Sequence, residues 1–408
     1  MSDKILKFPS GFLWGAATSA YQIEGGLVND WSEWEKSPAR LEALKKAGKN
    51  PEEFISGRAA NSFELFGEDL KCIKELNLKA YRFSIDWSRV EPEEGKWSEE
   101  GLNYYRYIVK KLRENDIEPF VTLWHWTNPL WLMKKGGWTG KRLPEYFGRY
   151  VRKIVEELGE SVNFWITLNE PMMIIGHGYL DGKFPPNHKG DILNSLRLFK
   201  NFIAAHKTAY RIIHEKNAQA QVGLAMTTGY FDTFHKNNPL EKLIVKIADY
   251  LRNFWLLNRV RGFFDFLGVN YYHHDRLAWL PPFKRNENEE VSDFGWEIYP
   301  EGIYQVLKGY KKLNKPIYIT ENGIADADDD QRPAFIKNHL FYIHRALSEG
   351  VDVRGYLHWS LLDNFEWADG YSMKFGLVEV DRQTFKRTIR PSARAYAEIC
   401  KNNALMID

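Results

Sequence analysis

Two glutamates, Glu170 and Glu321, each follow a short apolar stretch of the sequence. Residues 164–168 and 317–320 are apolar, aromatic or β-branched, which is typical of buried parallel strands, and the Asn-Gly pair after Glu321 is a turn signal. Each carboxylate is therefore predicted at the carboxyl end of a buried strand, where barrel enzymes place their chemistry. Two carboxylates that face one cleft can hydrolyse a glycosidic bond. The alternative, for either glutamate taken alone, is an exposed side chain in a solvated loop.

Such a pair needs unequal surroundings. One carboxyl group must stay protonated to donate to the leaving oxygen, and the other must be ionised to act as a nucleophile or a base. Arg82 and Tyr272 are candidates to hold the ionised group by charge and by a hydrogen bond. An arginine within a buried strand needs a carboxylate partner, because an unpaired buried charge is very costly; the alternative is an outward, solvated Arg82. A carboxyl separation of about 5–5.5 Å would give retention, and one of about 6.5–9.5 Å would give inversion.

A regular alternation of strand and helix patterns predicts the scaffold that brings these residues together. In residues 61–76, for example, apolar side chains recur every three or four positions, as in an amphipathic helix. Strand patterns occur at residues 12–18, 79–85, 117–123, 164–170, 221–227, 263–272, 317–321 and 353–358. Their alternation with helices predicts an α/β fold, a (β/α)8 TIM barrel of parallel strands. We expect a single domain over residues 1–408 with long βα loops at the C-terminal face, because the barrel itself needs roughly 250 residues.

Composition excludes several other classes of protein. The chain has 408 residues and a net charge of +2, so nothing in its charge indicates binding to nucleic acid or to a membrane surface. The first residues lack an apolar signal segment, and no apolar run reaches the length of a membrane span. Two distant cysteines, Cys72 and Cys400, indicate no disulfide framework and favour a reducing compartment. We therefore expect a cytoplasmic protein.

Two features that could suggest a metal are set aside. The pair His273 and His274 is interpreted as part of a loop, because no third ligand at a metal-like spacing accompanies it. The acidic run at residues 326–330 lacks the glycine and the terminal glutamate of a calcium loop. We predict neither a metal site nor a cofactor.

Six segments, in this order, resemble the signature segments of the family 1 glycoside hydrolases. They are FLWGAATSAYQIEG (12–25), YRFSI (81–85), TLNEP (167–171), GVNYY (268–272), ITENG (319–323) and WSLLDNFEW (359–367). The likeness runs from residue 12 to about residue 380, nearly the whole chain. It implies a retaining exo-β-glycosidase on a (β/α)8 barrel, with no cofactor.

The resemblance also implies a role for individual residues. Glu170 matches the acid/base of the family and Glu321 its nucleophile, flanked by Arg82 and Tyr272. The positions that match residues holding the hydroxyls of the terminal sugar are Gln22, His125, Asn169, Glu366 and Trp367. Trp359 matches a stacking platform, Phe375 an aromatic wall and Asn270 a supporting residue. From its place at a strand end alone, His125 could equally be a structural histidine.

The expected substrates are small β-glycosides or oligosaccharides. A carboxylate at Glu366 would accept hydrogen bonds from sugar hydroxyls and repel a phosphate, so an unphosphorylated sugar is expected. The resemblance implies β-glucosidase activity, with β-galactosidase and β-fucosidase activity as well, and residues 127–132 and 330–333 resemble the archaeal-type branch. The chain is short for the family, and the region between the fifth and sixth strands and the loop at residues 279–293 are interpreted as trimmed, which leaves the aglycone preference and a homo-oligomer open.

Two alternatives use the same barrel. One is a catalytically silent sugar-binding protein, although such proteins usually lose a catalytic glutamate and both are present here. The other is a transglycosidase, which would use the same residues and differ only in how well water competes at the intermediate.

Overall fold

Eight parallel strands form a closed barrel. The computed structural model describes residues 4–286 and 290–407. The strands pair in chain order, and the eighth pairs with the first. From first to eighth they are Leu13–Ala17, Ala80–Ser84, Glu118–Thr122, Phe164–Asn169, Gln221–Thr233, Phe266–Leu277, Ile317–Asn322 and Val353–Trp359. The predicted (β/α)8 TIM barrel is confirmed, and every predicted strand is present.

Helices surround the barrel and bury their apolar faces against it. The long ones are Ser62–Glu75, Glu99–Arg113, Leu143–Leu158, Ile192–Lys216, Pro239–Asp249, Pro300–Tyr310, Arg332–Ser348 and Pro391–Asn402. Shorter α-helical segments are Ala20–Ile23, Asp30–Glu35, Pro38–Lys46, Trp87–Val90, Leu130–Lys134, Pro171–Met173 and Trp255–Arg259. The 3-10 turns are Pro51–Phe54, Gly137–Thr139, Lys311–Leu313 and Trp367–Asp369, and the π-helical segments are Ile174–Leu180 and Tyr250–Phe254.

Large and small side chains alternate inside the barrel and fill the part of it nearer the amino ends of the strands. Phe120, Ile166, Phe266 and Tyr318 come from the start or middle of their strands and pack together, with ring centroids of Phe120 and Tyr318 5.3 Å apart. Alanines on neighbouring strands make room for these rings. Because this layer closes the lumen, a cavity can open only at the carboxyl ends of the strands.

Several elements differ from the expectation. A strand at Lys4–Lys7 pairs with Ala404–Ile407, and a hairpin joins Val378–Val380 to Arg387–Ile389; neither sheet was predicted. The fifth and sixth barrel strands are longer than predicted and stay paired as far as Thr233 and Leu277. Their extension contradicts one interpretation, because His273 and His274 lie on the sixth strand and not in a loop.

Helical structure over residues 239–259 is interrupted by a π-helical turn. This turn, at Tyr250–Phe254, separates Pro239–Asp249 from Trp255–Arg259. Such turns often occur at functional sites. Among residues 4–286 and 290–407, no helix has the length and apolar content needed to cross a bilayer.

Candidate active site

A cavity of about 960 Å³ opens at the carboxyl ends of the barrel strands. Nine of the twelve predicted site residues line it: His125, Asn169, Glu170, Tyr272, Glu321, Trp359, Glu366, Trp367 and Phe375. The other three, Gln22, Arg82 and Asn270, are fully buried behind this lining. Residues far apart in sequence therefore meet in one site, as the barrel topology predicts.

Glu321 lies at the end of the seventh strand between two donors. Arg82 Nη1 donates to Oε1 at 2.5 Å, and the Tyr272 hydroxyl donates to Oε2 at 2.7 Å. Arg82 thus points into the barrel, where Nη2 also donates to Asn169 Oδ1 at 2.6 Å. Burial raises the pKa of the Glu321 carboxyl group, while the charge of Arg82 and the hydrogen bond from Tyr272 oppose that rise.

Glu170 follows the fourth strand and has different surroundings. Its backbone adopts a left-handed conformation with φ of 44°, and its amide donates to Ala225 O at 2.8 Å. Asn270 Nδ2 donates to Oε1 at 2.8 Å, and within the described part of the chain no cation forms an ion pair with this carboxylate. Burial, followed by the charge of Glu321, raises the pKa of Glu170 to about 7. The two carboxyl groups are therefore held differently, one against a guanidinium and one beside an amide.

The protonation of His125 follows from its neighbours. Asn169 Oδ1 accepts from Arg82 and from Asn270, so Asn169 Nδ2 is the donor to His125 Nε2 at 2.9 Å. Burial lowers the pKa of His125 well below its usual value, so the ring is neutral with its proton on Nδ1. That buried Nδ1 has no partner among the described residues. A free donor beside the cavity favours a ligand contact over a purely structural histidine.

Glu366 also lines the cavity and is held by a neighbouring amide. Gln22 Nε2 donates to its Oε2 at 3.1 Å and to Asn364 Oδ1 at 2.9 Å. Gln22 therefore supports Glu366 from behind and does not line the cavity. Burial, and then the charges of Asp369 and Glu321, raise the pKa of Glu366 well above its usual value. In its acid form this group can donate to a sugar hydroxyl as well as accept.

Aromatic rings form much of the wall. The ring of Trp367 lies 5.8 Å from that of His125 and 4.6 Å from that of Trp126, and the ring of Trp359 is 6.1 Å from His125. Phe375 contacts Tyr272 on the other side, with centroids 6.2 Å apart. Flat apolar faces close to polar groups suit the two kinds of surface on a sugar ring.

Residues near the mouth were missed from the sequence. The helix Pro38–Lys46 contributes Arg40 and Leu44, and the π-helical turn contributes Arg252. The helix Pro38–Lys46 lies in the long segment between the first two barrel strands, and such segments supply the walls of barrel sites. The length of this segment was the only signal in the sequence for Arg40 and Leu44. Arg252 occurs in a stretch with the regular apolar spacing of an amphipathic helix, so the sequence pattern does not identify it as a cavity residue.

Tyr272→Phe should lower kcat by roughly 10- to 100-fold, because it removes a hydrogen bond to an ionised carboxylate. The rate of hydrolysis of an aryl β-glycoside measures this. Tyr271→Phe is the matched control, since the Tyr271 hydroxyl donates to the backbone of Tyr299 and not to Glu321. An equal fall in kcat for both variants would show that the hydrogen bond from Tyr272 to Glu321 makes no specific contribution to the rate.

Comparison with known proteins supports the family predicted from the motifs. The family model described as glycosyl hydrolase family 1 matches residues 5–293 and 256–405 of the chain. The chain belongs to glycosyl hydrolase family 1. It is 35% identical to the 1,4-beta-D-glucan glucohydrolase of Thermotoga neapolitana, over 98% of this chain and 99% of the relative. It is 31% identical to the beta-galactosidase of Sulfolobus acidocaldarius, over 98% of this chain and 96% of the relative.

Solved structures of the family agree with the barrel. The beta-glucosidase from Thermotoga maritima in complex with glucoimidazole has a TM-score of 0.90 at 34% identity, covering 97% of this chain and 99% of that one. The beta-glycosidase from Pyrococcus horikoshii has a TM-score of 0.88 at 37% identity, covering 99% and 97%. The predicted family and the glycoside hydrolase class are thereby confirmed, whereas the archaeal-type branch stays a prediction.

The comparison also bears on loop length. The alignment with the Thermotoga neapolitana relative extends over 450 positions, more than the 408 residues of this chain. The Thermotoga neapolitana relative therefore has segments that this chain lacks, and the positions of the trimmed loops stay a prediction.

Proposed function

We propose that this family 1 enzyme removes β-glucosyl residues from the non-reducing end of small β-glycosides, with retention of configuration, and that it also accepts β-galactosides and β-fucosides. One observation carries the proposal. Glu170 and Glu321 share a cavity, but only Glu321 is held by a guanidinium and a phenol. This asymmetry suits an acid and a nucleophile.

The reaction follows from these surroundings. Ionised Glu321 attacks the anomeric carbon and forms a glycosyl ester, while protonated Glu170 transfers its proton to the departing oxygen. Glu170 is then a carboxylate and takes a proton from water, which attacks the anomeric carbon and releases the sugar and Glu321. Asn270, which donates to Glu170 and accepts from Thr320 next to Glu321, positions both halves of the pair.

The sugar is proposed to be unphosphorylated. Glu366, supported by Gln22, offers oxygens that suit sugar hydroxyls, and among the four carboxyl groups that line the cavity the ionised Glu321 disfavours a dianion. His125 and Asn169 add donors beside them, and Trp359 adds a face for the ring.

The first experiment is the initial rate of hydrolysis of aryl β-glucosides, β-galactosides and β-fucosides, with the anomeric form of the first product read by NMR. We expect the β-anomer from each substrate cleaved. The α-anomer as first product would contradict retention, and a folded protein inactive on the whole panel would favour the sugar-binding alternative. Transfer products at high acceptor concentration would favour the transglycosidase.

The rate should depend on pH with a bell shape. Glu321 must be ionised, so kcat/KM falls as pH drops through the acidic limb; Glu170 must be protonated, so kcat/KM falls again as pH rises beyond a pKa of about 7. Both limbs belong to the coupled pair. The profile of kcat/KM measured between about pH 4 and pH 9 checks this. The basic limb should vanish in Glu170→Gln assayed on an activated aryl glycoside, and a monotonic wild-type profile would exclude the pair.

We further propose that the chain is one catalytic domain that works in the cytoplasm. The barrel uses strands from residue 13 to residue 359, and both thiols, Cys72 and Cys400, are buried and unpaired, which suits a reducing compartment.

A further inference from the structure

Arg252 lines the cavity near Glu170 without a carboxylate partner in the part of the chain that the structure describes. It lies in the π-helical turn Tyr250–Phe254 and is half-buried. Its one hydrogen bond runs from Nη1 to the sulfur of Met173 at 3.5 Å, and its buried Nε has no acceptor among these residues. A guanidinium removed from water is normally paired with an anion, so this group is left free for a ligand.

The charges of two carboxyl groups, Glu170 and Asp275, act on Arg252. Lys284 forms an ion pair with Asp275, so these two charges offset one another. Burial, reinforced by the charge of Arg252, lowers the pKa of His273 to about 4, so this cavity-lining ring is neutral near pH 7. Once Glu170 is protonated for catalysis, this side of the cavity carries a net positive charge.

Aromatic rings line the same cavity as Arg252. The ring of Trp296 stacks on Phe294 with centroids 4.3 Å apart and 15° between the planes. It also lies 5.8 Å from the ring of His273 and 5.9 Å from that of Tyr272. This aromatic surface offers an aryl ring a stacking partner next to a cation.

Arg252 belongs to the leaving-group side of the site. Its charge acts on Glu170, the group that would protonate the leaving oxygen, whereas Glu366 and Gln22 lie on the side proposed for the terminal sugar. We propose that Arg252 selects glycosides whose leaving group carries a carboxylate on an aromatic ring, such as β-glycosides of hydroxybenzoic acids. This inference rests on the proposed function, and it deepens it by naming an aglycone class.

The test compares two substrates that differ in one charge: the β-glycosides of 4-hydroxybenzoic acid and of 4-hydroxybenzamide, both with the sugar that the wild type cleaves fastest. The measured quantity is the ratio of kcat/KM for the acid to that for the amide, at neutral pH and low ionic strength. We expect Arg252→Gln to lower this ratio about 10-fold, the loss of one charge-assisted hydrogen bond, and Arg252→Lys to restore part of it. High salt should reduce the wild-type ratio.

A matched control removes the same charge nearby. Arg259 lies seven residues further along, is exposed and does not line the cavity, so Arg259→Gln should keep the wild-type ratio. An unchanged ratio in Arg252→Gln would overturn the inference. An equal fall for acid and amide would also overturn it, because Arg252 would then act through Glu170 alone. A wild type active on neither these substrates nor neutral aryl glycosides would instead overturn the proposed function, and this inference with it.

Discussion

Glu321→Ala is expected to lower kcat roughly 10⁴-fold or more on every glycoside, the size of effect seen when a nucleophile is removed. Without the carboxylate no glycosyl ester can form. The fall in kcat should therefore be similar for substrates with good and with poor leaving groups. Steady-state rates on one aryl and one alkyl glycoside measure this loss. Glu379→Ala, which removes an exposed glutamate from the small hairpin, is the control and should keep wild-type activity.

The space that opens in the Glu321→Ala variant allows a more specific test of the nucleophile. Azide can enter the space and attack the anomeric carbon from the same face, so it should restore turnover on activated substrates and yield the α-glycosyl azide. Loss of Glu321 also leaves Arg82 buried without its anion, which destabilises the fold by about 3–5 kcal/mol. Glu321→Gln, which keeps the volume, should be measured beside it by circular dichroism. Rescue with a β-glycosyl azide as the product would contradict the assignment.

Glu170→Gln is expected to have an effect that depends on the leaving group. A poor leaving group needs the proton, so kcat/KM for an alkyl glycoside should fall about 10²- to 10⁴-fold, whereas that for a dinitrophenyl glycoside should change little. The second step still lacks its base, so the glycosyl-enzyme should accumulate and give a burst of phenol. The slope of log kcat/KM against leaving-group pKa, for wild type and variant, is the measurement.

Glu366→Gln separates this effect from a general loss of binding. Glu366 lies on the side proposed for the terminal sugar, so its loss should lower kcat/KM by a similar factor for all leaving groups. If Glu170→Gln also lowered kcat/KM by a similar factor for all leaving groups, Glu170 would not be the acid.

The parts of this site that could be predicted are those tied to a strand. An apolar run followed by a carboxylate placed Glu170 and Glu321 at the carboxyl end of the barrel, and the cost of an unpaired buried charge placed Arg82 inside it. Because parallel strands end on one face, residues distant in sequence could be expected to meet.

Other parts depend on tertiary contacts that leave no local pattern. Gln22 matches a sugar-binding position, yet it is held behind Glu366, and only the packing of the barrel decides which of the two lines the cavity. Arg252 depends on a π-helical turn inside a helix of ordinary periodicity. The strand Lys4–Lys7 is short, and its partner lies at the other end of the chain, so its own sequence signal is weak.

The left-handed backbone of Glu170 is shared by three other non-glycine residues of the cavity wall, Trp126, Asn187 and Trp367, with φ values of 75°, 62° and 48°. Each such residue with a side chain costs about 1 kcal/mol or more, a cost that glycine would not incur. At position 170, glycine would relieve both this cost and the burial of a carboxyl group. The cavity wall is thus less stable than the same fold could be, which is the trade-off expected where residues are kept for activity and not for stability.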